Sequence, residues 1–480
     1  MSLLVIDVGT SGVRAAIVTP DARITCDHYR EVLPESPVQG LVEFDAAALA
    51  DAALEVARLA LADGGPVEAV GIANQRASTI VWERATGRPV GPALGWQDLR
   101  TLGDCLVLQA DGLRLAPNQS ATKLAHLLNE HDVTRSRDLC FGTVDSWIAW
   151  NLSGGAAHVT DLTNAAVTGL IALGGADWDD VVLDKLRIPR SILPSIVDST
   201  GVVGIATALE GAPPIAGMAG DQQASLIGQG CVRPGPAKIT FGTGGMLDVV
   251  VGPERPRFDT RGSGGTFPIV AWRRDGVAMW GLEAIMLSAG TNIEWLRDDL
   301  SIIASSAESH DVASQCSDTD GVVYVPALLG LGTPEWDYGA RGTLLGLTRG
   351  SGRPHIVRAV LEGVAHRGAD LVEAAETDAG ITIPALRVDG GMSRNPTFLQ
   401  ALADATQRPV EVSPVVDATT LGAAFLAGLA TGTWGGWDDI AATWAPTQAV
   451  VPGAALDRER WARSVERAKA WYPELSGLDF

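Results

Sequence analysis

A chain of 480 residues, 46% hydrophobic and 19% charged, holds enough apolar material for two or three cores and is not a single small module. Its 57 acidic residues outnumber 36 Lys and Arg, and the net charge of −21 excludes a broad basic face for nucleic acid or anionic lipid. Five scattered cysteines with no Cys-x-x-Cys pair fit neither a disulfide scaffold nor a structural zinc site, so a reducing cytoplasm is the expected compartment.

The N-terminus enters Leu3-Leu4-Val5-Ile6-Asp7 directly, without the basic and long apolar regions of a signal peptide. From Ile6 to Val18 the pattern is strand, Gly-Thr turn, strand. Glycine permits positive φ and close backbone approach there, so the amides and hydroxyls of Thr10 and Ser11 suit a phosphate, although an ordinary hairpin reads the same way. A carboxylate at Asp7 is unfavourable beside a phosphate unless a cation such as Mg²⁺ lies between them, and Arg14 adds a fixed positive charge. Leu49 to Ala62 follows with helical spacing. Gly71-Ile72-Ala73-Asn74-Gln75-Arg76 then places a guanidinium at the end of a buried-strand pattern, and Gly95-Trp96-Gln97-Asp98 sets an aromatic face beside polar groups. That combination suits a polyol or sugar; the competing account pairs Arg76 with a structural acid and buries Trp96 in core.

Ile215 to Gly228 reads as a strand turning into a helix with Asp221 at or beside the N-cap. Capping explains an Asp there, but a cleft-facing carboxylate also accepts a hydroxyl proton as that oxygen attacks a γ-phosphate, with Gln222 holding the substrate. The Gly- and Pro-rich run 230–237 is the expected connector between an N-terminal domain, 1–229, and a C-terminal domain, 238–480. Just beyond it, Ile239 to Val251 repeats the strand, Gly-Thr turn, strand design around Gly242 and Thr243, which predicts a duplicated domain with a cleft between the copies. His355 to Ala379 is helical in spacing, and Leu386 to Asn395 is a strand, a Gly-Gly turn and a helix start, suited to a nucleotide base or ribose or to a plain turn. Ala418 to Trp437 is uncharged but carries four threonines, so a buried helix followed by a loop is expected rather than a membrane span. The alternation throughout predicts an α/β fold. Walker A, G-x-S-x-G, H-E-x-x-H and G-x-G-x-x-G patterns are all missing.

Taken together the chain resembles the FGGY carbohydrate kinases, in particular their glycerol kinase branch, from the Asp7 hairpin to about Trp434. The resemblance rests on Asn74-Gln75-Arg76, Trp96-Gln97-Asp98, Ser120-Ala121-Thr122-Lys123-Leu124, Val159 to Ala165, Gly220-Asp221-Gln222-Gln223, Gly242-Thr243-Gly244, Ala289-Gly290, Asp389-Gly390-Gly391 and Leu421-Gly422-Ala423-Ala424. It implies two actin-like, ribonuclease-H-like ATPase domains closing over ATP and a sugar or polyol. It also implies Asp221 as general base, with Asp7 and Asp221 near Mg²⁺, and nucleotide positions at Thr10, Ser11, Arg14, Gly242, Thr243, Gly290, Glu294, Gly391 and Asn395. Arg76, Trp96, Asp221 and Gln222 fall at substrate positions.

Three departures concern the acceptor. Ala77 stands where glycerol kinases have Glu, Asn118 where they have Tyr, and Met246 where they have Phe, so a hydroxyl-binding carboxylate and two aromatic walls are lost. Glu294 also replaces a family Gln beside the nucleotide. The resulting expectation is an ATP-dependent kinase of a small sugar or polyol, glycerol kinase-like with an altered acceptor pocket. Glycerol kinase proper and a xylulokinase-type ketose kinase are the alternatives, and a non-catalytic, nucleotide-gated sugar-binding protein is a more distant one. No nucleic acid or membrane partner is expected, and a homo-oligomer is compatible with the sequence.

Overall fold

The structure is a computed structural model that describes residues 1–172, 174–415 and 417–478. Two sheets of one design organise it. In the first, Leu3–Val8 is antiparallel to Gly12–Val18, which is antiparallel to Ile24–Glu31; on its other side Leu3–Val8 runs parallel to Val70–Asn74, and that strand parallel to Pro214–Gly220. In the second, Ala237–Phe241 is antiparallel to Gly245–Gly252, which is antiparallel to Val277–Met286; on its other side it runs parallel to Leu386–Asp389, and that strand parallel to Val410–Val412. Both Gly-Thr turns are therefore the tips of corresponding hairpins. Val70–Asn74 is buried on both faces, which is why it reads as an unbroken apolar run rather than an alternation.

Helix Ala46–Gly64, capped by Asp45 accepting from the amides of Ala47 and Ala48, packs Leu49, Ala53, Val56 and Ala60 into one core with Leu4 and Ile6. Helix Arg353–Ala379 buries Val360, Val364 and Leu371 against Ile239 and Val388 in the corresponding core of the second sheet. The uncharged stretch from Ala418 forms helix Ala418–Thr431, which belongs by sequence to the second half but shares a core with Leu3, Val5, Ala73 and Ala216 of the first sheet. Thr200 Oγ1 of that half donates to Leu426 O at 2.7 Å. The two sequence halves are thus interleaved at this helix, and its apolar surface is spent inside the protein. Among the described residues no helix is long and apolar enough to cross a membrane. In the tryptophan-rich tail, Trp434 packs edge-on against Phe425, Trp437 against Trp272, and Trp461 stacks on His366, whereas Trp471 is exposed.

Candidate active site

Asp221 is the first residue of helix Asp221–Gly228, with Gly220 in the N-cap position, so its carboxylate is not spent on capping. One oxygen accepts the neighbouring Gln222 amide at 2.8 Å, and the side chain remains one-third exposed. Burial raises its pKa against the opposing pull of Arg76. The strand end that delivers it is pinned by the buried segment Val159 to Ala165. The Gly220 amide donates to Thr163 Oγ1 at 2.9 Å, and that hydroxyl donates to Asp161, which also accepts from Ser199. Asn164 and Asn74 exchange amide hydrogen bonds beside it.

Arg76 pairs with two acids, as one reading of the sequence has it. Its Nη2 donates to Glu283 of the second sheet at 2.8 Å, and its Nε lies 3.4 Å from Asp221. Trp96 is partly exposed and donates from Nε1 to Thr10 Oγ1 at 3.2 Å, which joins the aromatic face to the first Gly-Thr turn. Ala77 is buried at φ +59°, with its carbonyl accepting from Ser120 Oγ. Met246 is partly exposed on the second hairpin, while the Asn118 side chain is exposed and its segment is held through the backbone. The tether is Lys123, whose ammonium donates to Gly95 O at 2.9 Å and Asn118 O at 3.3 Å.

Burial pushes the Lys123 ammonium down to about 7, partly offset by Asp98. Below that pH both the folded and unfolded chains carry the proton, and the native state bears the full cost of a buried charge. Between about pH 7 and the unfolded value of about 10.4 only the unfolded chain keeps it, so this residue's contribution to stability rises with pH. Urea titrations of the parent and Lys123→Met should accordingly show the parent gaining relative stability from pH 7 to 10; a pH-independent difference would place the ammonium in a solvated setting.

Around the two Gly-Thr turns, burial and then the charge of Asp221 push Asp7 up to about 7, with Arg14 opposing and Asp417 adding to the rise. Arg14 pairs with Asp27 and Asp417 at 2.7 and 2.8 Å. Ser11 is exposed at the turn, which closes through Gly9 N to Gly12 O. In the second turn, Gly242 and Thr243 are braced by backbone bonds from Gly290 and Ala289. A Cβ at Gly290 would lie 2.6 Å from Gly242 O, so only glycine permits this contact. Glu294 is exposed at the end of helix Thr291–Glu294, and Gly391 is exposed at the start of the 3₁₀ turn Gly391–Arg394. The Asn395 side chain is engaged at both ends, with Oδ1 capping helix Pro396–Thr406 at the Phe398 amide and Nδ2 donating to Ser309.

Among the described residues no three His, Cys, Asp or Glu side chains converge as a ligand set. Asp7 and Asp221 repel one another, however, and that suits a hard cation such as Mg²⁺ that takes one or two carboxylates and completes its shell with water and phosphate oxygens.

Sequence reasoning missed Lys238, Asp248 and Glu283, three charged residues buried in the second sheet. Lys238 and Asp248 pair at 2.8 Å with both side chains fully buried, and Lys238 also donates to Gln222 Oε1 at 2.6 Å. The available signal was a charge interrupting an apolar strand run at each position.

Residues 2–228 match the N-terminal domain, and 237–431 the C-terminal domain, of the FGGY family of carbohydrate kinases. The chain is 41% identical over 494 residues to a glycerol kinase of Aromatoleum aromaticum, covering 98% of this chain and 99% of that one. It is 43% identical over 499 residues to one of Trichlorobacter lovleyi, with the same coverage. In structure it is similar to Plasmodium falciparum glycerol kinase with ADP, at TM-score 0.91 and 27% identity over 97% of this chain and 98% of that one. It is also similar to a xyloylose kinase from Brucella ovis, at TM-score 0.86 and 25% identity over the whole of both chains. With duplicated actin-like domains and this match along nearly its whole length, the chain belongs to the FGGY family and is an ATP-dependent carbohydrate kinase.

Proposed function

We propose that the acceptor is a four- or five-carbon polyol or ketose rather than glycerol, and that Asp221 is the general base of the transfer. The carrying observation is Ala77: next to Arg76, the site offers a buried methyl group where the glycerol kinase pattern has a carboxylate. Asp221 takes the acceptor hydroxyl proton as that oxygen bonds to the γ-phosphorus and the bond to the β,γ-bridging oxygen breaks, releasing ADP. Arg76, Trp96 and Gln222 orient the acceptor. The 1–229 domain supplies these groups, and the 238–480 domain supplies Gly242, Thr243, Gly290 and Gly391 to the nucleotide. Asp7 and Asp221 would hold Mg²⁺, whose chemistry is neutralisation of phosphate charge. The free thiols of Cys26, Cys105, Cys140, Cys231 and Cys316 support a cytoplasmic setting.

Glycerol is the second reading, favoured by the 41% and 43% identity to glycerol kinases. A coupled ADP assay over C3 to C6 polyols and ketoses decides between them, and glycerol giving by far the highest kcat/KM would overturn the proposal. Ala77→Glu should raise kcat/KM for glycerol about tenfold or more by restoring a hydroxyl partner. The backbone requirement at φ +59° is unchanged, because both residues carry a Cβ.

A further inference from the structure

Asp161 is fully buried and accepts five hydrogen bonds. Two come from the amides of Thr163 and Asn164, and capping of helix Leu162–Ala165 explains them. The other three come from side chains, which capping does not require: Thr163 Oγ1 at 2.8 Å, Asn164 Nδ2 at 2.9 Å and Ser199 Oγ at 2.7 Å. Each leads to a different element. Thr163 Oγ1 accepts the Gly220 amide, immediately before Asp221. Asn164 exchanges amide bonds with Asn74, which also donates to Gln75 O, immediately before Arg76. Ser199 joins the second sheet. Its amide donates to Arg273 O at 2.8 Å, its hydroxyl accepts the Arg273 amide at 3.1 Å, and its carbonyl accepts the Met218 amide of the strand that ends at Gly220.

We infer that Asp161 is a positioning residue for phosphoryl transfer, holding the strand ends that carry Arg76 and Asp221 in place against each other and against the second sheet. This rests on the role proposed for Asp221 and adds the groups that aim it. The parallel ladder between the two strands ends at Asn74 opposite Gly220, so Arg76 and Asp221 stand just past its last register pair. There Asp161 is the common acceptor. Burial raises its pKa and the donors oppose that rise; with five donors converging, a proton on the carboxyl would face another proton, so the group is held ionised. An ionised carboxylate draws the hydroxyl hydrogens of Thr163 and Ser199 toward itself, which leaves their lone pairs facing the amides of Gly220 and Arg273. Gly220 is buried, so its amide must keep this partner or move to find another. A displacement of about 1 Å at Asp221 is enough to cost on the order of 10²-fold in rate.

The test is a double-mutant cycle on kcat, read as ADP release with the best acceptor of the C3 to C6 panel, at temperatures where urea titration shows each variant folded. Thr163→Val keeps the shape of the side chain and removes the hydroxyl that accepts the Gly220 amide. It should lower kcat by about 10²-fold in the parent but by less than about threefold in Asp221→Asn, because aiming no longer matters once the base is gone. Asp161→Asn sets an NH₂ against the converging donors and should lower kcat at least as far, again with little further loss in Asp221→Asn. Thr163→Ser retains the hydroxyl and should restore kcat to within about threefold of the parent. Ser199→Ala removes only the hydroxyl shared by Asp161 and the Arg273 amide, so it carries the cycle if the other two fail to fold; it should lower kcat about tenfold with the same dependence on Asp221. Equal losses in the parent and Asp221→Asn backgrounds, or parental kcat in the folded variants, would overturn the positioning inference and leave Asp221 as the base. Parental kcat in Asp221→Asn would overturn the base, and the positioning inference with it.

Discussion

Asp221→Asn should lower kcat by about 10²- to 10⁴-fold with the fold and ATP binding retained. The replacement has the same shape, and its amide oxygen still accepts the Gln222 N–H that the carboxylate accepts at 2.8 Å. What is lost under the proposed mechanism is the only step that needs a base, removal of the acceptor proton as the new bond to phosphorus forms. A second signature separates this loss from simple distortion. After burial, the Asp221 charge is the largest influence raising Asp7, so the Asp7 titration, at about pH 7 in the parent, should move down in the variant. A carboxyl whose native pKa lies above its unfolded value contributes stability below the unfolded value and loses it as pH rises through the native one. The contribution of Asp7 to the stability of the ligand-free protein should therefore decline between about pH 4 and 7, and decline less in Asp221→Asn. Carboxyl NMR, calorimetric ATP binding and ADP release measure the three effects. A kcat within tenfold of the parent would remove Asp221 from the chemistry.

The parts legible in the sequence were those whose physics is local. Two Gly-Thr hairpins, a strand buried on both faces and the helical spacing of Leu49 to Ala62, which lies inside helix Ala46–Gly64, are each written within about twenty consecutive residues, and each appears where its pattern placed it. Asp221 and Arg76 were legible for the same reason, as polar residues at the ends of apolar strands. The Lys238, Asp248 and Glu283 row was not, because it exists only through the register of strands separated by up to 45 residues in the chain, from 238 to 283. Asn395 shows a different limit, one pattern that fits two roles. A strand, a Gly-Gly turn and a helix start describe a nucleotide rest and a capped helix equally well, and the side chain is engaged as the cap. Nor does anything in Ala418 to Thr431 announce that it covers the first sheet rather than the second, since an apolar helix carries no address.

That helix carries the other large effect. Gly228 and Gly422 bring helices Asp221–Gly228 and Ala418–Thr431 into backbone contact: a Cβ at Gly422 would lie 1.8 Å from Ala224 O, and one at Gly228 would lie 1.8 Å from Ala418 O. Glycine inside a helix costs about 0.5–1 kcal/mol relative to alanine, so its presence at both positions reflects this approach rather than helix formation. Gly422→Val has no side-chain rotation that avoids the Ala224 carbonyl, so the helices must separate. The expected loss is about 3 kcal/mol or more, at the upper end of overpacking, read as a lower urea midpoint. Asp221 begins the displaced helix, so the damage should extend to catalysis. A shift of about 1 Å in a reacting group is sufficient to cost on the order of 10²-fold in rate, and kcat should fall even at temperatures where the variant is fully folded. A destabilised variant with parental kcat would mean that the strand end and Thr163, through the Gly220 amide, position the base without help from the crossing. Loss of both together means that the second half of the sequence sets the proposed general base of the first through a contact made only of backbone.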